Sequence, residues 1–262
     1  MTYQPVIPTS GLAGWHFLQA TLERQTEALD NSSKVKSDTA YFTENIGAIT
    51  NAEDLIADRR LLTIALGAFG LEDDVNNKYF IQKVLEDGTT ADDALANKLS
   101  DKSYKAFSEA FGFGDTPQVA TAGFADEIID SYERRSFEVA VGEQNETFRF
   151  GLNLERELPV IAESDTTENA KWYSVMGNST LREVFQVAFG LPDEFGQVDI
   201  DQQMEVFKEH AARRFGTDEI NQFAEPEKLE ELLQLYFLQD QVSQTSTSSG
   251  SIALTLLQSN GA

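Results

Sequence analysis

The residues whose types could do chemistry are few and scattered. His16 and His210 are the only histidines. Two imidazoles cannot complete a three-histidine zinc site, and neither stands in a His-Glu-x-x-His pattern. The acidic turns Glu72-Asp73-Asp74 and Asp92-Asp93 invite a calcium reading. No stretch, however, follows the spacing of a calcium loop with its closing glutamate. The 44 acidic residues supply many carboxylates, but nothing singles out a pair for glycoside cleavage. The chain has no cysteine, which excludes disulfides, thiolate catalysis and thiolate metal sites. The phosphate-cradling and nucleophile-elbow glycine motifs are absent. The expectation is a protein without catalytic, cofactor-binding or metal-ligating residues, and not an enzyme.

The elements that would carry any site are helical by pattern. At 262 residues, with 41% hydrophobic residues and 18 Phe, the chain can bury a sizeable core. Its 20 Lys and Arg stand against 44 Asp and Glu, a formal net charge of −24, which argues against a nucleic-acid backbone or an anionic membrane as partner. The densest basic runs are the pairs Arg59-Arg60, Arg134-Arg135 and Arg213-Arg214, each read as a solvated face or a local ion pair. A basic protein partner fits the charge better. No apolar run approaches the roughly 18 residues of a membrane span, and the N-terminus lacks the pattern of a secretory signal. Cytoplasmic placement is expected, with export through a dedicated apparatus as the alternative.

Apolar residues recur at helical spacing along most of the chain. Helices are expected over Gly11–Leu29, Val35–Ile46, Asn51–Ala57, Asp58–Leu71, Val75–Glu86, Ala91–Leu99 and Lys102–Phe111. Further on, they are expected over Thr121–Val141, Glu146–Glu163, Lys171–Met176, from Asn178 to Ala188, over Ile200–Phe215 and over Glu227–Gln239. Thr50 with Glu53 has the spacing of a capping box, and so has Asp199 with Gln202. Tyr104, Phe107 and Phe111 form an aromatic stripe read as core rather than as a base-stacking platform. Phe137, Val139, Val141, Phe148, Phe150, Leu152 and Leu154 also alternate as strands would, so one β-hairpin near 137–154 is the alternative. Pro159 would mark a kink or an early end of the helix it falls in.

Two stretches share an order: DRRLLTIALGAFGL at 58–71, and NSTLREVFQVAFGLP at 178–192. Each is an amphipathic helix closing on Ala-Phe-Gly-Leu, with Gly70 or Gly190 as the stop and an acidic turn after it. Ala68 and Ala188 superpose at an offset of 120 residues. Ala110-Phe111-Gly112-Phe113 is a weaker third echo. The pattern predicts an all-α, multihelical fold of two pseudo-repeated lobes, 1–115 and 116–240, divided at the Gly112–Gln118 stretch. Residues 241–262 read as a flexible Ser/Thr linker followed by an apolar tail. In that tail Ile252, Leu254, Leu256 and Leu257 either dock back on the chain's own core or form a candidate partner-binding peptide.

Residues 39–71, 131–159 and 172–192 together resemble the alphaproteobacterial family known as domain of unknown function 1217. The resemblance runs from about Gly11 to Leu257. It implies an all-helical fold, favours helix for Glu146–Glu163, and implies a gene setting often near flagellar genes; it brings no catalytic residues. The leading expectation is a non-enzymatic interaction protein of flagellar assembly or motility, with a chaperone-like hold on an export substrate or basal component as one form of it. An exported minor flagellar component and a hydrolase with an unrecognised carboxylate site are the alternatives.

Overall fold

The computed structural model describes residues 3–259, with the side chains of 193 and 244–259 outside the description. Thirteen α-helices and no strand occur among the described residues. They are α1 (Gly11–Asp30), α2 (Ser33–Asn45), α3 (Ala52–Ala57), α4 (Arg59–Phe69), α5 (Lys78–Asp87), α6 (Leu95–Lys98) and α7 (Ser103–Phe111). After these come α8 (Phe124–Gly142), α9 (Glu146–Glu163), α10 (Glu168–Gly177), α11 (Ser179–Ala188), α12 (Ile200–Phe215) and α13 (Pro226–Ser259). The hairpin alternative falls, because residues 137–154 belong to α8, α9 and the turn between them. No described helix is long and apolar enough to cross a membrane.

Contacts divide the chain into two compact units, Met1–Val6 with Ala20–Gln144, and Ile7–Gln19 with Asn145–Ala262. The Gly112–Gln118 stretch therefore lies inside the first unit. Its composition is that of a linker, but hydrogen bonds tie it down. The Asp115 carboxylate accepts from the Thr89 and Thr90 backbone N–H groups at 2.7 and 3.3 Å, and Gln118 N–H donates to the Phe111 carbonyl at 3.0 Å. The hydroxyl and backbone donors of Thr90 and Thr89 hold the Asp115 carboxyl below its ordinary value.

In the first unit α4 is the hub, packed against α2, α3, α7 and α8. Leu61, Leu62, Ile64, Ala65, Leu66 and Ala68 of this eleven-residue helix are all buried. The Asp58 side chain caps it, accepting from the Arg60 and Leu61 N–H groups, and Gly70 closes it in the left-handed region at φ 73°. The aromatic stripe of α7 is core: Phe107 and Phe111 are fully buried, and the Tyr104 hydroxyl donates to the Asp74 carboxylate. Two expectations shift. The cap of α3 is Asn51 with Asp54, one residue on from Thr50 and Glu53, because the Asn51 amide oxygen reaches the Asp54 N–H at 2.9 Å. The helix expected over Ala91–Leu99 shrinks to α6, since the Asn97 amide bonds the Thr89 and Ala91 carbonyls and holds that segment as a turn.

The second unit is built on α9, α11 and α13. Trp172 and Phe185 lie in its aromatic core, with centroids 5.5 Å apart and both fully buried. The buried Lys171 ammonium donates to the Ala162 carbonyl at 2.8 Å and pairs with Glu168 at 3.1 Å, and Glu168 in turn accepts from the Ile220 N–H at 2.6 Å. This fastens the end of α9 to α10 and to the 3₁₀ turn Ile220–Ala224. Pro159 does not end α9, which runs on to Glu163. Inside the helix the proline removes the N–H that would reach the Glu155 carbonyl and its ring crowds that carbonyl, a cost that the burial of Leu154, Leu158 and Ala162 beside it offsets. Through the expected linker the main chain of α13 continues as helix to Ser259. Once the turns around Leu232 and Phe237 are packed, each added residue gains a hydrogen bond without paying again for nucleation. The side chains of Ile252, Leu254, Leu256 and Leu257 lie outside the described residues.

The repeat inferred at an offset of 120 holds atom by atom. Asn178 caps α11 through the Thr180 and Leu181 N–H groups, as Asp58 caps α4 through Arg60 and Leu61. At the other end Leu71 N–H bonds the Leu66 carbonyl at 2.9 Å and Leu191 N–H bonds that of Gln186 at 3.0 Å, the closure of a Schellman motif in both units.

Two glycines give opposite tests. Gly190 sits at φ 66° with its nearest would-be Cβ neighbour 3.9 Å away, so Gly190→Ala should cost about 1 kcal/mol from backbone strain alone. Gly151 is ordinary helix, where Ala would normally stabilise. A Cβ there would come within 2.9 Å of both the Trp15 and Phe237 rings, so Gly151→Ala should cost about 1–3 kcal/mol by overpacking. Urea denaturation of both variants measures this.

Candidate functional site

A groove of about 540 Å³ opens in the first unit between the first turn of α2, the exposed edge of α4 and one face of α8. Its wall is apolar at Leu29, Val35 and Val139 and hydroxyl-bearing at Ser33, Thr63 and Tyr132. One end of it rests on a charge network. Arg60, from the first turn of α4, donates from Nε and Nη2 to Asp38 Oδ1 at 3.1 and 2.9 Å, and from Nη2 to Ser37 Oγ at 2.6 Å. Its guanidinium lies 4.4 Å from the centre of the Tyr41 ring. The Tyr41 hydroxyl donates to Asp58 Oδ2 at 2.7 Å, and the other Asp58 oxygen caps α4. Tyr132, on α8, donates to Asp38 Oδ2 at 3.3 Å.

The network sets its own protonation. Burial, then the Asp38 charge, push the Tyr132 phenol up to about 12. Burial works against the Asp58 carboxylate, yet the Tyr41 hydroxyl and the Leu61 and Arg60 N–H groups hold that carboxyl below its ordinary value. Both groups are thereby moved away from neutral pH. They are fixed donors and acceptors, suited to positioning rather than to proton transfer. Tyr132 fits because α4 has glycine beneath it: a Cβ at Gly67 would stand 3.1 Å from the ring.

A smaller pocket of about 330 Å³ lies in the second unit, between α1, α9 and α13. Trp15, Leu229 and Leu233 give it an apolar lining. Gln19 Nε2 donates to Glu155 Oε2 at 2.7 Å, and Gln234 Nε2 donates to Glu230 Oε1 at 3.0 Å. Burial pushes the Glu155 carboxyl above its ordinary value, against the Gln19 hydrogen bond.

His16 is exposed at this pocket, while His210 stacks on Phe189 with centroids 5.2 Å apart. Burial, then Arg213, pull the His210 imidazole below its ordinary value. The histidines therefore do not share a site. Asp74 of the first acidic turn accepts from Tyr104 and Asn77, whereas Asp92 and Asp93 are exposed. Among the described residues no group of three or more His, Cys, Asp or Glu could hold a metal ion. Asp30 and Glu133 are both pushed up, Asp30 by burial and Glu27, Glu133 by burial, Asp30 and Asp130. Neither lines the groove.

Of the basic pairs, Arg60 makes the local ion pair anticipated for it. Its acceptor Asp38 was not singled out, although Lys34 and Asp38 stand at the i, i+4 spacing of a helical ion pair. Nothing in the sequence joins Gln19 to Glu155, 136 positions apart.

Fold and sites define a multihelical protein of two all-α units that share one helix-and-stop device. More particularly, the chain belongs to the family described as Protein of unknown function (DUF1217), which matches residues 68–229. It is similar to the crystal structure of protein AGR_C_984 from Agrobacterium tumefaciens, at 28% identity and a TM-score of 0.74, over 90% of this chain and 96% of that one. No protein of curated function matches it.

The groove network can be tested by titration. The stability that Tyr132 contributes should be full below pH 10 and be lost as pH climbs through about 12. Asp38→Asn should bring the phenol's midpoint down and cost about 1 kcal/mol, since Arg60 is partly exposed. Ultraviolet difference titration, with Tyr132→Phe to assign the transition, reads the first effect and urea denaturation the second.

Proposed function

We propose that this protein is a non-enzymatic, protein-binding component of flagellar assembly or motility that acts in the cytoplasm, with the end of α13 as its contact segment. The observation that carries this reading is the course of α13. Its first turns pack, with Leu232, Leu233, Tyr236 and Phe237 buried. Leu238 and Val242 then stand 49% and 59% exposed, and the helix continues past them to Ser259. Ile252, Leu254, Leu256 and Leu257 fall in that continuation. An apolar segment carried on the end of a packed helix suits recognition by a partner's groove. The charge of −24 favours a basic partner. The flagellar part of the reading comes from the gene setting that the family resemblance implies, and a chaperone-like hold on an export substrate is one form it takes.

Deleting the gene should reduce swimming or filament number; unchanged motility and export would sink the flagellar reading. A tagged full-length chain should capture a specific protein from flagellated cells, and the same chain without residues 241–262 should lose it. Capture unaffected by truncation would move the contact elsewhere. Fractionation should find the protein in the cytosol, and recovery from the filament or medium would make it an exported component instead.

A further inference from the structure

The pocket of the second unit holds two carboxylates and no cation. Glu155 has one oxygen satisfied by Gln19 and Glu230 has one satisfied by Gln234, both donors being neutral amides. The second oxygen of each has no donor among the described residues; that of half-buried Glu155 is not a buried orphan, and Glu230 is exposed at the rim, so both remain open to an incoming group. No Lys or Arg lines the pocket. The other titratable group there is His16, exposed on α1.

Such an arrangement has a cost. A carboxylate partly withdrawn from water gains from a counter-charge, and Glu155 has none among the described residues. Burial accordingly disfavours its ionised form. An incoming cation would remove that penalty, and the rest of the pocket suits a particular one. At about 330 Å³ the space lies within the range of ligand pockets, about 300–1,000 Å³. Trp15, Leu229 and Leu233 offer apolar contact to an aliphatic stem, while carboxylates on two different helices call for donors directed two ways. A guanidinium meets this better than an ammonium, because it presents five N–H groups in a fixed plane and is more weakly hydrated. Trp15 is itself held by Phe148 and Phe237, with ring centroids at 6.0 and 4.8 Å, so this wall is in place before anything binds.

We propose that the pocket between α1, α9 and α13 receives an arginine side chain of a partner protein, with its guanidinium between Glu155 and Glu230. The proposal rests on the protein-binding reading and adds the chemistry of the contact, at a place separate from the end of α13. The chain's overall charge of −24 draws basic segments toward it.

The test uses the full chain and an acetylated Gly-Arg-Gly amide, followed by calorimetry. Three comparison ligands are the same peptide with citrulline, the same peptide with lysine, and free arginine. The arginine peptide should bind at least tenfold more tightly than the citrulline peptide and more tightly than the lysine one. Glu155→Gln and Glu230→Gln should each weaken it about tenfold, as loss of a charge-assisted hydrogen bond does. Glu155→Gln should meanwhile leave the thermal midpoint unchanged or raise it, because it removes a charge the fold penalises. A merely structural role for Glu155 would lower that midpoint instead. Equal binding of arginine and citrulline peptides, wild-type affinity in Glu155→Gln, or no binding would overturn the proposal. Free arginine binding as tightly as the peptide would overturn the assignment to a protein side chain. A partner captured by wild type and Glu155→Gln alike, but lost on removal of 241–262, would leave the protein-binding reading standing and reject the pocket's part in it.

Discussion

A helix that is apolar on nearly every side has to be surrounded, and α4 is such a helix. Leu61, Leu62, Ile64, Ala65, Leu66 and Ala68 leave it no face to give to water except the strip through Arg59 and Thr63. Burying its Leu and Ile side chains contributes about 1.5–3 kcal/mol each before chain entropy is counted, so the neighbours α2, α3, α7 and α8 gather on it, α2 and α8 also meeting each other. With only eleven residues, α4 would be marginal alone. Its ends must therefore be defined by capping, which Asp58 does at one end and left-handed Gly70 at the other.

The polar groups of both units follow from the same pressure. At two places where an end or a turn is drawn inside, a side chain meets its backbone carbonyl. Lys171 reaches the end of α9 from α10, and the Trp172 indole N–H donates to the Asp218 carbonyl at 2.7 Å. At the surface, Asp115 meets the Thr89–Thr90 backbone in the same way. These bonds tie an exposed loop with the composition of a linker to the unit it belongs to.

How much of this was legible depends on distance along the chain. Caps, stops and apolar stripes are short-range, so Asn178, Gly190 and the stripe through Leu181, Val184, Phe185 and Ala188 could be read from the sequence and are found as read. The chain's all-α character and the repeat followed from them. The division of the units at Gln144 could not be read, because what joins the Gly112–Gln118 stretch to its unit is a carboxylate reaching back 26 residues to Thr89. Composition at 241–250 also did not show that the main chain there is helical, because a helix nucleated upstream continues through Ser and Thr. Neither pocket was legible: Tyr132 meets Asp38 across 94 positions and Gln19 meets Glu155 across 136. An i, i+4 rule cannot see such pairs.

Comparison of the two copies separates what the fold needs from what it carries. At the offset of 120, the capping oxygen passes from Asp58 to Asn178 with the same two N–H partners, so the charge on Asp58 is not required for capping. Arg60 becomes Thr180, and Gly67, which makes room for the Tyr132 ring, becomes Val187. The second unit closes α11 with the same hydrogen bonds without any of these residues. The charged cap and the guanidinium on Tyr41 are thus additions of the first unit that reach its groove only through Tyr132, which lines it together with Gly67. In the second unit the aromatic core and the Glu155 pocket take their place. The backbone device is thus kept while the side chains built on it diverge, which leaves each unit its own pocket chemistry.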